Sequence, residues 1–68
     1  MKLRQKFAQN LKNLRKKKGY TQETLAEKLG ISVRHVQFME GKTTPNIKLD
    51  TIEKIAKAIG VNPLDLLK

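Results

Sequence analysis

The 68-residue sequence contains no cysteine and no tryptophan, and its aromatic residues are one tyrosine and two phenylalanines. Without cysteine, neither a disulfide framework nor a Cys-ligated zinc can staple the fold, and the absence accords with a reducing cytosol. The single histidine, His35, has no second His or Cys at ligand spacing, so no metal site is expected. No apolar run approaches the roughly 18 residues that span a bilayer. The charged start from Met1 to Phe7 has no apolar stretch behind it, so a secretory signal is not expected and the location is read as cytoplasmic. A Gly-rich phosphate cradle is missing, as is a Ser/His/Asp set with room for a pocket. Neither an enzyme nor a cofactor is therefore expected.

The most informative absence is of acid at one end. Fifteen Lys and Arg against six Asp and Glu leave a formal charge of +9. Lys2, Arg4, Lys6, Lys12, Arg15, Lys16, Lys17 and Lys18 all fall in the first 18 residues, where there is no acidic side chain. The other fifty residues are close to neutral. A local field of this kind suits a polyanion such as DNA, RNA or an anionic membrane, and its bland alternative is solubility.

What is present is helical. The apolar residues make up 38% of the chain, dominated by Leu, Ile, Val and Ala, a set suited to closely packed helices. The length allows one domain near the lower limit for an unassisted core. Leu3, Phe7, Leu11 and Leu14 recur at spacings of four, four and three, which predicts a first helix over 2–18 that stops at Gly19. Lys16, Lys17 and Lys18 then offset the dipole at its C-terminus. Thr21 is a candidate N-cap for a second helix over 22–29, with Leu25, Ala26 and Leu29 inward, and Gly30 ends it. Ser32 is placed to cap a third helix over 33–40, followed by a loop from Gly41 to Asn46. Ile52, Ile55, Ala56 and Ile59 share one face of a fourth helix over 49–59 that Gly60 stops. Asn62 and Pro63 open a short fifth helix over 63–67. Nothing alternates with period two long enough for a strand. The expectation is a compact all-α domain of five helices.

Residues 22–45 carry the functional signal. Two helices that cross steeply through a short turn need a small residue at the crossing, which Ala26 supplies, and a turn, which Gly30 makes. Val36 and Met39 should face Leu25, Ala26 and Leu29. Arg34, His35, Gln37 and Phe38 then point outward, with Val33 at the leading end, as on a recognition helix entering the major groove of duplex DNA.

These residues, with Leu14-Arg15, Gly19-Tyr20-Thr21-Gln22, Leu29-Gly30-Ile31-Ser32, Met39-Glu40, Pro45 and Ile55-Ala56, give the chain a pattern that resembles the phage-repressor and Cro-type (XRE-like) helix-turn-helix family, the lambda-repressor-like fold. The resemblance covers nearly the whole chain. It implies a five-helix domain binding double-stranded DNA, usually as a homodimer, and usually a transcriptional repressor or regulator. It further implies base contacts from Val33, Arg34 and Phe38, a phosphate contact from Gln22 that also steadies the third helix, and an ion pair of Arg15 with Glu40. Backbone contacts are implied for the loop residues Lys42, Thr43 and Thr44, although the family usually has one more residue between the glutamate and the loop proline.

Several assignments stay double at this level. Arg34 either grips guanine O6 and N7 or makes only a phosphate contact. Phe38 packs on thymine methyls, lies buried against the fourth helix, or meets a second copy. Gln37 joins the base-contact candidates because it can reach adenine; its alternatives are a phosphate contact and an idle surface amide. Ser32 and His35 join the phosphate candidates. Leu64, Leu66 and Leu67 crowd the last turn, and among them Leu64 and Leu67 are the candidates for a two-fold contact. The functional expectation is a sequence-specific DNA-binding regulator acting as a homodimer without a small-molecule effector. The competing expectation is a protein-interaction module, such as an antitoxin or bridging factor, using the same fold.

Overall fold

The computed structural model describes residues 3–41 and 47–68. Among these, four α-helices follow one another: α1 (Leu3–Lys17), α2 (Gln22–Leu29), α3 (Val33–Met39) and α4 (Leu49–Ile59), and a 3-10 turn spans Pro63–Leu66. The class is all-α, with no strand among the described residues.

Each boundary has a local cause. Thr21 and Thr24 form a reciprocal capping box at the start of α2, the Thr21 hydroxyl accepting from the Thr24 amide at 3.0 Å and the Thr24 hydroxyl from the Thr21 amide at 2.8 Å. Ser32 Oγ accepts the His35 amide at 3.1 Å and so caps α3. Each cap thereby satisfies one of the orphan donors at its helix start without tertiary help. Glu40 closes α3 as its C-terminal cap rather than extending it.

The expected fifth helix is a single 3-10 turn. The Asp65 amide donates to the Asn62 carbonyl at 2.9 Å and the Leu67 amide to the Leu64 carbonyl at 3.0 Å, a three-residue spacing throughout. Asn62 Oδ1 accepts the Leu64 amide at 3.0 Å, and Asp65 reaches back to the Asn62 amide, so the turn is tightened from its first residue. This tighter winding carries Leu66 into the core, where it is fully buried, while Leu64 stays 62% exposed and Leu67 is half-buried against the core.

A second departure concerns α1. Phe7 and Leu11 are buried and Leu14 packs partly against them, but Leu3 is 60% exposed. The inward face continues instead through Ala8 and Arg15, both buried. The first turn of α1 thus projects beyond the core it was expected to cover. Ile52, Ile55, Ala56 and Ile59 of α4 are all buried, as their period requires.

One cluster of apolar side chains, from Phe7 and Leu11 through Leu25, Val36, Met39 and Ile55 to Leu66, joins all four helices and the turn. The 3-10 turn packs on both α4 and α1. A hydrogen bond from Asn10 Nδ2 to the Leu66 carbonyl at 3.1 Å ties it to α1. Leu66→Ala should therefore cost about 2–5 kcal/mol by cavity formation, whereas Leu3→Ala should stay within about 0.5 kcal/mol. Urea unfolding monitored by circular dichroism checks both, and equal costs would contradict this placement of the two leucines.

Candidate nucleic-acid interface

The junction of α2 and α3 is built from small local devices. Gly30 has φ 71° and ψ 31°, the left-handed conformation, and its amide donates to the Glu27 carbonyl while the Ile31 amide reaches the Ala26 carbonyl at 3.0 Å. These two bonds form a Schellman closure that reverses the chain in few residues. Ala26, Leu25 and Leu29 then meet Val36 and Met39, all buried. Burial of two of the seven α3 side chains on this face leaves the rest of the helix for solvent or ligand.

On that outer side Arg34, His35, Gln37 and Phe38 are exposed, as is the cap Ser32. With Gly41 they line one open depression. Phe38 is 51% exposed, which disposes of its burial against α4. Val33 differs from the others: it is half-buried and packed on the core, so only part of its side chain is offered outward. Gly41 lets the chain leave α3 closely, since a Cβ there would stand 3.3 Å from the Gln37 carbonyl oxygen and 3.4 Å from that of Phe38. Lys42, Thr43 and Thr44, expected to contact the backbone of a nucleic acid, lie outside the described residues.

Behind the exposed stripe sits a charged node. Arg15 Nε donates to Glu40 Oε2 at 2.7 Å and Nη2 donates to Oε1 at 3.1 Å, a bidentate pair. The third contact of the guanidinium, Nη1 to the Tyr20 carbonyl at 2.9 Å, pins the α1–α2 connection. The two side chains are only 7% and 3% exposed. Gln22 Nε2 adds a bond to Glu40 Oε1 at 3.2 Å, and Gln37 Nε2 donates to Gln22 Oε1 at 3.4 Å. The first residue of α2 is thereby held beside the outward stripe of α3. Among the described residues every buried side-chain nitrogen and oxygen has a partner.

The node does not add much net stability, because desolvation of two charges offsets most of their attraction. It fixes the orientation of α1, α2 and α3 relative to one another. The Tyr20 carbonyl is a member that the sequence alone did not reveal, since a carbonyl carries no residue-type signal, while the contact with Gln37 gives the expected steadying of α3 by Gln22 a named partner. The packing of Lys28 Nζ 5.5 Å from the centre of the Tyr20 ring is a further contact of this corner that sequence reading missed.

Chemically, the surface offers one guanidinium, one imidazole, an amide and an apolar ring on a protruding rod. Among the described residues no group of three or more His, Cys, Asp or Glu could hold a metal ion. No helix among them is long and apolar enough to cross a membrane.

Comparison with known proteins converges on the same segment. A family model described as helix-turn-helix matches residues 11–66. The control protein C.BamHI of Bacillus amyloliquefaciens is 40% identical over 62 residues, covering 90% of this chain and 75% of that protein. An HTH-type transcriptional regulator derived from the SPbeta prophage of Bacillus subtilis, YonR, is 36% identical over 63 residues, which are 91% of this chain but 56% of the relative. Among solved structures, the hypothetical transcription factor NHTF from Neisseria superposes with a TM-score of 0.88 at 39% identity, over 98% of this chain and 76% of that one. The restriction-modification controller protein C.AhdI from Aeromonas hydrophila gives 0.82 at 38% identity, over 93% and 94% of the two chains.

Removing one partner of the node should expose its structural role. Arg15→Met should cost about 3–5 kcal/mol by leaving the Glu40 carboxylate buried and unpaired. Arg15→Met combined with Glu40→Leu should cost clearly less than the two single changes added together. A double-mutant cycle in urea measures this coupling, and strict additivity would mean that the pair is not coupled.

Proposed function

The chain belongs to the helix-turn-helix family and is a DNA-binding transcription regulator, and we propose that it acts as a homodimeric repressor inserting α3 into the major groove of a near-palindromic operator. The observation that carries the reading is the outward stripe of α3, with Gln22 braced beside it through Glu40. Arg34, Gln37 and Phe38 stand where a rod in the groove meets base edges, and the outer part of Val33 joins them at its leading end. Arg34 suits guanine O6 and N7, Gln37 suits adenine, and Phe38 with Val33 suits thymine methyls. Gln22, at the start of α2, Ser32 and His35 flank this stripe and are assigned to phosphates, since helix N-termini favour anions. Lys42, Thr43 and Thr44 are proposed to add further phosphate contacts.

Leu64, largely exposed beside the half-buried Leu67, is proposed as the two-fold contact. A dimer of this kind spaces its recognition helices by about one helical turn, near 34 Å. Such a protein works in the cytoplasm, where its operator is, and needs neither cofactor nor effector.

Selection of bound duplexes from a random pool, followed by titration, tests the assignment. Arg34→Ala should lose about 1–3 kcal/mol on the preferred duplex and relax the preference at one base pair. Gln22→Ala should weaken every duplex alike. Uniform weakening in both variants would refute the division between reading and gripping. For the two-fold contact, Leu64→Lys should shift sedimentation toward monomer and weaken operator binding, while an unchanged dimer would remove Leu64 from it.

A further inference from the structure

The bases of α1 are not equivalent, and the node explains why. Arg15 commits its guanidinium inside the protein, to Glu40 and the Tyr20 carbonyl. Lys16, Lys17 and Lys18, the next three residues, are exposed and make none of the ion pairs found among the described residues. They follow Arg15 directly in the chain, and Arg15 itself lies at the corner where the end of α1, the first residue of α2 and the end of α3 converge, because Glu40 binds both Arg15 and Gln22. Arg4 and Lys6 are equally exposed but lie eleven and nine residues before Arg15. At a 1.5 Å rise per residue, that is about 17 and 14 Å further along the helix axis. Between the two groups, Asn10 fastens α1 to the 3-10 turn, away from the α2–α3 corner.

We propose that the Lys16–Lys18 corner is a phosphate clamp on the operator duplex, extending the contact of Gln22 along the DNA backbone outside the base pairs that α3 reads. The inference rests on the proposed function and names a surface of that same interface. Charge complementarity selects the occupant: three consecutive exposed lysines, with no acid in the first 18 residues and a single one, Glu23, in the first turn of α2, suit a polymer bearing one charge per 1.7 Å or so of helix axis. The three lysines also suit the negative end of α1, and if that were their whole role their removal would affect folding and leave DNA affinity alone. The clamp makes the opposite demand, because it requires position along α1 to matter and not charge alone.

The test compares two variants of equal charge, Lys16→Gln/Lys17→Gln and Arg4→Gln/Lys6→Gln, on a duplex selected from a random pool. Affinity is measured from about 50 to 200 mM salt, and thermal unfolding confirms that both remain folded. For the near pair, the slope of log K against log salt should fall by about 0.9 for each phosphate that is no longer neutralised. Affinity for every duplex should drop on the order of tenfold, with the ranking of sequences unchanged. The far pair should keep the wild-type slope, and Lys16→Arg/Lys17→Arg should restore it. Equal flattening by both pairs would replace the clamp with a diffuse field, and no flattening by either would also overturn it. If the unmodified protein shows no preference among duplexes, the proposed function fails as well, whereas preference retained with an unmoved slope sinks the clamp alone.

Discussion

The buried bidentate pair of Arg15 with Glu40 is the contact through which three helices acquire one orientation. A charge removed from water must be matched in place, so neither partner can drift without a large penalty. Arg15 also holds the Tyr20 carbonyl, and Glu40 also holds Gln22, which in turn meets Gln37. The outward stripe of α3 is therefore referenced to α1 through a chain of directional bonds rather than through apolar packing alone. Apolar packing fixes which sides of the helices meet, while a planar guanidinium on a planar carboxylate also fixes their angle.

Helices as short as α2 and α3, with eight and seven residues, would not persist alone in water. Their ends are prepared locally by Thr21, Thr24, Ser32 and Gly30, which lowers the cost of starting and stopping them. Their faces are then secured by one shared core, to which Leu66 contributes from the far end of the chain. The 3-10 turn matters here because its tighter winding brings Leu66 inward and leaves Leu64 outside. One surface leucine is thus set apart for the two-fold contact under the proposed function.

Charge and recognition are carried by different helices. α1 holds six of the fifteen bases and no acid, while α3 bears one arginine and no acid on its outward face. Under the proposed function, the first supplies attraction that does not depend on sequence and the second supplies discrimination among bases. The node lies between the two, so the basic corner and the reading stripe are held in a constant relation.

Much of this was legible in the residue order. The bounds of α2 and α4, the caps at Thr21, Ser32 and Asn62, the reversal at Gly30 and the burial of Val36 and Met39 follow from period and local hydrogen bonding. These act over a few neighbouring residues and leave their mark in residue types. The exposure of Leu3, the 3-10 winding at Pro63–Leu66, the half-burial of Val33 and the outward position of Phe38 were settled only by the assembled fold. So were the Tyr20 carbonyl contact and the bond between Asn10 and Leu66, which joins residues 56 apart. The physical reason is that periodicity states which side of a helix is apolar, but how far the core extends along that side depends on what other segments bring to it. A leucine beyond the last packed layer and a leucine within it look the same until that layer exists.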